Sequence, residues 1–448
     1  MDRFDVIMIG MGPGGEAAAG RLLAAGKRVA VVERELIGGE CAYWACIPSK
    51  TLLRAPEARA EAARAAGVAT PALNWPELRD YHDYMVRYLD DAAQVRGYEQ
   101  AGATVIKGTA RITGRGRVEA GGELLEADHV VIATGSVPVR PDIEGLDQVP
   151  VWTNREATNV RDIPSRVLLI GGSAAGVELG QFYARMGAQV TIVQRAGTLV
   201  DREDPRVGEL ARDALAADGV TVHAGRTAAR ARPAAGGAVI TLDDGTEAGT
   251  DVVILAAGRR PATAGLGLEA AGITLGARGE VPVDDHCRAG EGLWALGDVT
   301  GVALFTHVAM YQGRVVADNI LGRERAASYH GIPRVVFADP EIAATGYTAA
   351  QARDRGIDAA ATEVALADSV ARPWTYERDP RGVLGLLADR HRRVLVGAWA
   401  VAPLASEWIH QAALAIRAQI PIDTLLDQVA QYPTYSEAYL AGLEQLAL

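Results

Sequence analysis

The same pattern of strand, glycine turn, helix and strand occurs twice in this chain, as DVIMIGMGPGGEAAAGRLLAAGKRVAVVE and as RVLLIGGSAAGVELGQFYARMGAQVTIVQ. In each copy a short apolar run enters a glycine-rich turn, then an Ala/Leu-rich helix, then a second apolar run. The offset from the first glycine to the end of the second strand is also the same, Gly10 to Glu33 and Gly171 to Gln194. One glycine triplet constrains little. Two copies in strand–helix–strand context predict two doubly wound dinucleotide-binding folds.

The length of 448 residues exceeds what one core supports and leaves room for further domains. The Ala/Arg/Glu-rich stretch from about Pro56 to Gln100 reads as helical, and short β-like segments follow around Thr104–Val118. Strand endings rich in glycine recur as HVVIATGS, DVVILAAGRRP and GLWALGD. From about Tyr329 the pattern changes to alternating segments, RVVFADPEIAATGY and RRVLVGAWAV among them, as in an antiparallel sheet carrying helices.

Composition narrows the setting. Apolar residues make up 49% of the chain and charged residues 23%, and the formal net charge is −11 with no block of like charges. That argues against a general nucleic-acid or anionic-membrane surface. No apolar run reaches the roughly 20 residues that span a bilayer, and MDRFDVIMIG reads as a first strand rather than a signal peptide. The expected location is the cytoplasm. Three cysteines are too few for a secreted disulfide framework, and the pair Cys41 and Cys46 suggests redox catalysis or metal binding. Lys27, Lys50 and Lys107 are the only lysines, which gives each one individual weight.

Gly10, Gly12 and Gly15 suit a tight turn, close approach of backbone to a pyrophosphate, and close helix–strand packing; Gly14 belongs to the same turn. The helix start offers N–H groups to phosphate, and Glu33 can accept hydrogen bonds from a ribose diol. The second copy keeps Gly171 and Gly176 but has Ser173 at the middle position, Gln194 in place of the acid, and Arg195 after it. Loss of the carboxylate removes repulsion toward a 2′-phosphate and an arginine can bind one, so NADPH is favoured over NADH. Arg195 could equally be a solvated strand-end residue. Thr134, Gly135 and Gly258, at two of the glycine-rich strand endings, are further expected cofactor contacts.

Cysteines five positions apart on a regular helix have Cα atoms roughly 8–9 Å apart, whereas a disulfide tolerates about 7 Å. For the two to pair, Cys41 must lie in the turn before a helix or in a distorted first turn, which Gly38 and Gly39 permit. A helix start there would favour a thiolate. Two inert buried cysteines, or half of a zinc site, are the alternative readings. Zinc needs two more ligands, and Cys287, expected to be structural in a strand near solvent, is the only other thiol.

The segment GGECAYWACIPSK resembles the redox motif of the class I pyridine nucleotide–disulfide oxidoreductases, the family of glutathione reductase, dihydrolipoamide dehydrogenase and mercuric reductase. The resemblance runs the length of the chain, through the two glycine motifs, ATG, WALGD and VVFADPEIAATGYT. It implies FAD in the first dinucleotide site and the nicotinamide cofactor in the second. It further implies that Cys41 attacks substrate, that Cys46 lies against the flavin, and that Lys50 lies by the reacting edge of the flavin, paired with Glu178. Asp298 would bind the ribityl chain, and Thr306–Val308 would approach the flavin pyrimidine. His307 reads as either a helix-start cap or a flavin neighbour. The implied assembly is a homodimer whose C-terminal domains complete each other's active sites.

One position departs from the family. Disulfide reductases of this kind carry a histidine before Pro-Thr near the C-terminus, with a glutamate beyond it. Here the segment is QYPTYSE, with Tyr432 at the histidine position and Glu437 retained. An unperturbed tyrosine, with a pKa near 10, is a poor base near neutrality but can donate a proton. Aromatic packing at the dimer interface is the other reading of Tyr432. Tyr43 and Trp44 either line a flat substrate cleft or fill space. Three acceptors follow: a small-molecule disulfide, favoured where its leaving thiol has a low pKa; a soft metal ion, since mercuric reductase also lacks the histidine, although LEQLAL carries no extra cysteine pair; or a quinone or dye reduced at the flavin. The expected organisation is an FAD-binding domain over 1–150 that resumes at 279–328, an NAD(P)H-binding domain over 151–278, and a C-terminal α+β dimerisation domain over 329–448.

Overall fold

A computed structural model describes residues 2–448 of the chain. The chain folds as two units. One runs up to Pro48, then Asp80–Val139 and Gly258–Ser328; the other comprises Ser49–Arg79, Arg140–Ala257 and Tyr329–Leu448.

The first unit opens with β1 (Asp2–Ile9), α1 (Pro13–Ala24) and β2 (Val29–Glu33). β1 and β2 pair in parallel, and the sheet extends in order Arg288–Gly290, Leu293–Ala295, Glu123–Ile132, β1, β2, Thr104–Lys107. Every residue of β2 is buried, as expected for a parallel strand covered on both faces. Alternation sorts β1 onto two cores. Val6 and Met8 pack with Leu22 of α1 and Val315 and Val316 of the helix Thr306–Ile320. Ile7 and Ile9 pack with Ile112, Val118 and Leu125 from the Ala110–Gly114 and Arg117–Ala120 hairpin and its neighbour.

The cysteine segment forms two helices: α2 (Gly39–Tyr43), then α3 (Cys46–Arg64). The stretch expected to be helical to Gln100 is interrupted. Helices Trp75–Met85 and Ala92–Gln100 flank a turn at Arg87–Leu89, whose residues all have positive φ, 55°, 53° and 57°. A left-handed turn cannot continue a right-handed helix. The residues read as β-like around Thr104–Val118 do form strands.

The second unit repeats the first theme with β3 (Arg166–Ile170), α4 (Ala174–Arg185) and β4 (Gln189–Gln194). Its parallel sheet runs Thr221–Ala224, β4, β3, Val252–Leu255, Val151–Trp152. An antiparallel three-stranded sheet, Ala228–Ala234, Gly237–Leu242 and Glu247–Thr250, packs Ile240 against Leu168 and Val193. Beyond Tyr329 lies a five-stranded sheet in order Arg334–Val336, Glu341–Gly346, Val394–Ala402, Val383–Asp389, Ala359–Ala365, every pair antiparallel. The helices His410–Ala418 and Glu437–Glu444 bury Ala412, Ala415 and Tyr439 against Leu384, Leu386 and Ala398 of that sheet. No described helix is long and apolar enough to cross a membrane.

Candidate active site

The two glycine turns are built alike. Gly10 has φ +96°, and a Cβ there would lie 2.5 Å from the Ala133 carbonyl oxygen. Gly171 has φ +114°, and a Cβ would collide with the Ala256 carbonyl oxygen. A Cβ on Gly15 would run into the Gly10 carbonyl, and one on Gly176 into the Gly171 carbonyl. These glycines are therefore required by packing. Gly14 serves the crossing of α1 with helix Thr306–Ile320: a Cβ on it would meet Leu296 and Ala309, and one on Gly313 would meet the Gly14 carbonyl oxygen at 2.5 Å. Gly12 differs, since a Cβ on it would meet nothing within 4 Å. Open space beside an N-cap backbone is what a pyrophosphate needs, so the turn fits a bound dinucleotide. At the matching place Ser173 donates its hydroxyl to the Ala256 carbonyl at 3.0 Å.

The strand ends match in the same way. Buried Glu33 accepts the Met11 N–H at 2.8 Å and the Glu35 N–H at 2.7 Å, one on each carboxylate oxygen. Gln194 accepts the Gly172 N–H at 3.0 Å and donates to the Thr198 carbonyl at 3.3 Å. Glutamine at 194 thus keeps the bond that steadies the turn while removing the negative charge. Arg195 and Arg202 are exposed and make no ion pair among the described residues.

A polar chain borders the first dinucleotide turn. Thr134 donates to the Ala262 carbonyl at 2.8 Å. Gly135, at φ +71°, and Gly258, at φ +112°, both have open space where a Cβ would point. Ser136 donates to Asp298 at 2.6 Å and accepts from the Arg259 Nε at 2.7 Å, and Arg259 lies 3.6 Å from Glu40. Burial pushes the Asp298 carboxyl above its ordinary range, against the lowering effect of the Ser136 hydrogen bond and Arg259.

The cysteine segment lies on that same turn. Gly38 (φ +117°) donates its N–H to the Met11 carbonyl at 2.7 Å, and a Cβ on Gly39 (φ +59°) would come within 2.8 Å of the Gly12 Cα. α2 then ends at Trp44, whose φ of −137° breaks the helix, and α3 begins with Cys46. Cys41 is therefore on its own short helix rather than on a shared one. Both thiols are half-buried. The Cys46 sulfur is 3.3 Å from the Thr306 hydroxyl, which opens helix Thr306–Ile320. As first residue of a 19-residue helix, Cys46 stands where peptide N–H groups favour a thiolate.

In the second unit Lys50 Nζ lies 2.7 Å from Glu178 Oε2 and 4.8 Å from the Phe337 ring centroid. Glu178, buried on α4, also accepts the Phe337 N–H at 2.9 Å. Tyr432 is 67% exposed, and its phenol makes no hydrogen bond among the described residues. Glu437 accepts the Thr434 N–H at 2.9 Å at the start of helix Glu437–Glu444. No hydrogen bond joins the two side chains.

Several expectations change. Cys287 is fully buried in a turn at φ +63°, not in a strand near solvent. Phe305, not His307, is the N-cap of helix Thr306–Ile320; His307 is exposed and stacks on Phe305 at 5.2 Å. Of the two readings of Tyr43, the structure agrees with filling space: the side chain is buried in contact with Arg87. Ser136, Arg259 and Phe337 went unnoticed in the sequence. Each lies beside a quoted motif (ATG, GRRP, VVFADP), but no spacing rule marks them.

The family model described as "Pyridine nucleotide-disulphide oxidoreductase" matches residues 4–313, and that family's dimerisation domain matches residues 332–441. The chain is 37% identical to a mercuric reductase of Streptomyces lividans, over 97% of this chain and 94% of that one. It is 33% identical to a dihydrolipoyl dehydrogenase of Thermus scotoductus, over 100% and 98% respectively. The Cu(II) complex of the HOCl-induced flavoprotein disulfide reductase RclA from Escherichia coli superposes with a TM-score of 0.88 at 26% identity, covering 99% of each chain.

Proposed function

The chain belongs to the pyridine nucleotide-disulphide oxidoreductase family, and from that premise we propose that it uses NADPH to reduce a small-molecule disulfide at the Cys41–Cys46 pair. It is an FAD-dependent enzyme whose electron donor is a nicotinamide dinucleotide. Bound FAD supplies the two-electron step between nicotinamide and a protein disulfide. The observation that carries the reading is the seating of the cysteine segment on the dinucleotide turn, Gly39 against Gly12, with Cys46 at the Thr306 hydroxyl.

In this reading residues 1–150 and 279–328 hold FAD, 151–278 hold NADPH, and 329–448 pair two copies of the chain in the cytoplasm. Gly10, Gly12 and Gly15 with the start of α1 receive the pyrophosphate, and the remaining lone pairs of Glu33 receive a ribose hydroxyl. Arg195 takes the 2′-phosphate of NADPH. Asp298 serves the ribityl chain. Lys50, held by Glu178, supplies positive charge where a reduced cofactor carries negative charge.

The dithiol step then balances. The Cys41 thiolate attacks one sulfur of the substrate disulfide, forming a mixed disulfide and releasing the other sulfur as a thiolate. Cys46 attacks the Cys41 sulfur, which restores the protein disulfide and releases the second substrate thiolate. Two protons are taken up by the two leaving sulfurs, one of them originally the thiol proton of the pair. Tyr432, in the partner copy, is the donor for the first leaving sulfur. Replacing it tests this: Tyr432→His should raise kcat for disulfide reduction several-fold near neutral pH, and an unchanged rate and pH profile would remove Tyr432 from the chemistry.

A soft metal ion is the second reading, favoured by the mercuric reductase relatives and the Cu(II) complex of RclA. NADPH oxidation that depends on Hg(II) or Cu(II) and is lost in Cys41→Ser would establish it.

A further inference from the structure

The loop that carries the redox pair is braced from one place. Tyr43, between the two cysteines, is 1% exposed; its hydroxyl donates to the Ile37 carbonyl at 3.2 Å and accepts from Arg87 Nη1 at 3.1 Å. The Arg87 guanidinium also lies over the Tyr43 ring, 5.6 Å from its centroid. Four residues on, buried Asp91 accepts the Ile37 N–H at 2.7 Å and pairs with Lys107 at 2.6 Å, and Lys107 donates to the Glu35 carbonyl. Glu35, Ile37 and Tyr43, the run into α2 and its last residue, are thus all held from Arg87, Asp91 and Lys107.

Arg87, which reaches Tyr43, opens a run of three successive residues with positive φ, Arg87, Tyr88 and Leu89. Residues with a Cβ rarely pay that cost unless the surroundings impose it, and such outliers gather at functional sites. Tyr88 is 71% exposed, so packing of its own side chain does not explain the turn.

We propose that Arg87 is a positioning residue for the redox pair: by clamping Tyr43 it keeps α2 (with Cys41) separate from α3 (with Cys46), the division that lets the two cysteines pair where one continuous helix would not. This rests on the redox reading of the two cysteines. Burial pushes the Tyr43 phenol up, so it remains a neutral donor and acceptor in the clamp. If the clamp is lost, the break at Trp44 can relax toward one continuous helix, which would part the Cα atoms to roughly 8–9 Å. That spacing strains the disulfide but not the dithiol.

Equilibration of the FAD-loaded protein with dithiothreitol tests the proposal. The protein disulfide and the reagent dithiol give the protein dithiol and the cyclic reagent disulfide, with two electrons and two protons transferred. Acid quenching, alkylation and mass spectrometry count each form. Arg87→Ala and Tyr43→Phe should each shift the equilibrium about tenfold toward the protein dithiol, about 30 mV for a two-electron couple. Arg87→Lys, which keeps a cationic donor, should shift it less than Arg87→Ala. Tyr43→Phe removes only the hydroxyl and keeps the measurement open should Arg87→Ala fail to fold. Folded variants whose equilibrium stays within twofold of the wild type would overturn the proposal. A wild-type protein with no reducible Cys41–Cys46 disulfide would overturn the redox reading itself, and the proposal with it.

Discussion

At Gln194 and Arg195 the scaffold role is visible in the structure, and the proposed preference for NADPH rests on the charge. The Gln194 side chain repeats the hydrogen bond that Glu33 makes to its own turn, yet carries no charge. Arg195 beside it is exposed, with no carboxylate partner among the described residues. A charge-assisted hydrogen bond to phosphate contributes roughly 1.5–3 kcal/mol. Arg195→Ala should therefore lower kcat/KM for NADPH about 10- to 100-fold while changing that for NADH less than about twofold. Steady-state kinetics with both cofactors checks this, and an equal loss with both would assign Arg195 a structural role. The glutamine-to-arginine dipeptide was legible in the sequence because its offset from Gly171 is fixed by the fold. Phe337 was not: its backbone N–H meets Glu178 across 159 positions of chain, and no local pattern announces that.

At the scale of elements, the fit between turn and cysteine helices depends on glycines with no spare volume. Gly39→Ala would place a Cβ 2.8 Å from the Gly12 Cα in a backbone that already has φ +59°. Purified Gly39→Ala should lose bound FAD, read from the flavin absorbance per protein chain, while Gly67→Ala, at φ +80° but with open space for a Cβ and no contact to the turn's glycines, should retain it. α3 is fixed at its far end by charge. Arg64 binds Asp339 at 2.8 Å and Glu377 at 2.7 Å, and Arg185 and Arg381 join the same buried carboxylate. Burial alone would raise the Asp339 carboxyl, but Arg185, Arg381 and Arg64 outweigh it and hold it below its ordinary value of 3.8. A depressed folded value means the stabilisation is complete above pH 3.8 and is lost as pH falls through the folded value. Asp339→Asn should cost about 3–5 kcal/mol at neutral pH, and its deficit against the wild type should shrink in acid below pH 3.8. A deficit independent of pH in denaturant titrations would mean that packing, not charge, is what the substitution disturbs.

For the whole molecule, the two doubly wound sheets and the antiparallel C-terminal sheet were legible because their apolar runs are buried on both faces or alternate by period. Glycine spacing did the rest. The left-handed turn at Arg87–Leu89 was hidden, since Val-Arg-Tyr-Leu contains no glycine and reads as a continuing helix. So was the division of the cysteine segment into two helices, where disulfide geometry set the requirement but not the solution. Under the proposed function these residues serve one two-electron path: turns for two dinucleotides, a lysine held by a carboxylate, and a thiol pair seated on the first turn.

Anaerobic titration of the oxidised, FAD-loaded protein with NADPH tests that path most directly. Uptake of four electrons per flavin, with a long-wavelength absorption that disappears in Cys46→Ser, is the predicted result. Uptake of only two electrons, with no such band and no change in either cysteine variant, would contradict it and leave the flavin alone, acting on a quinone or dye, as the reducing centre.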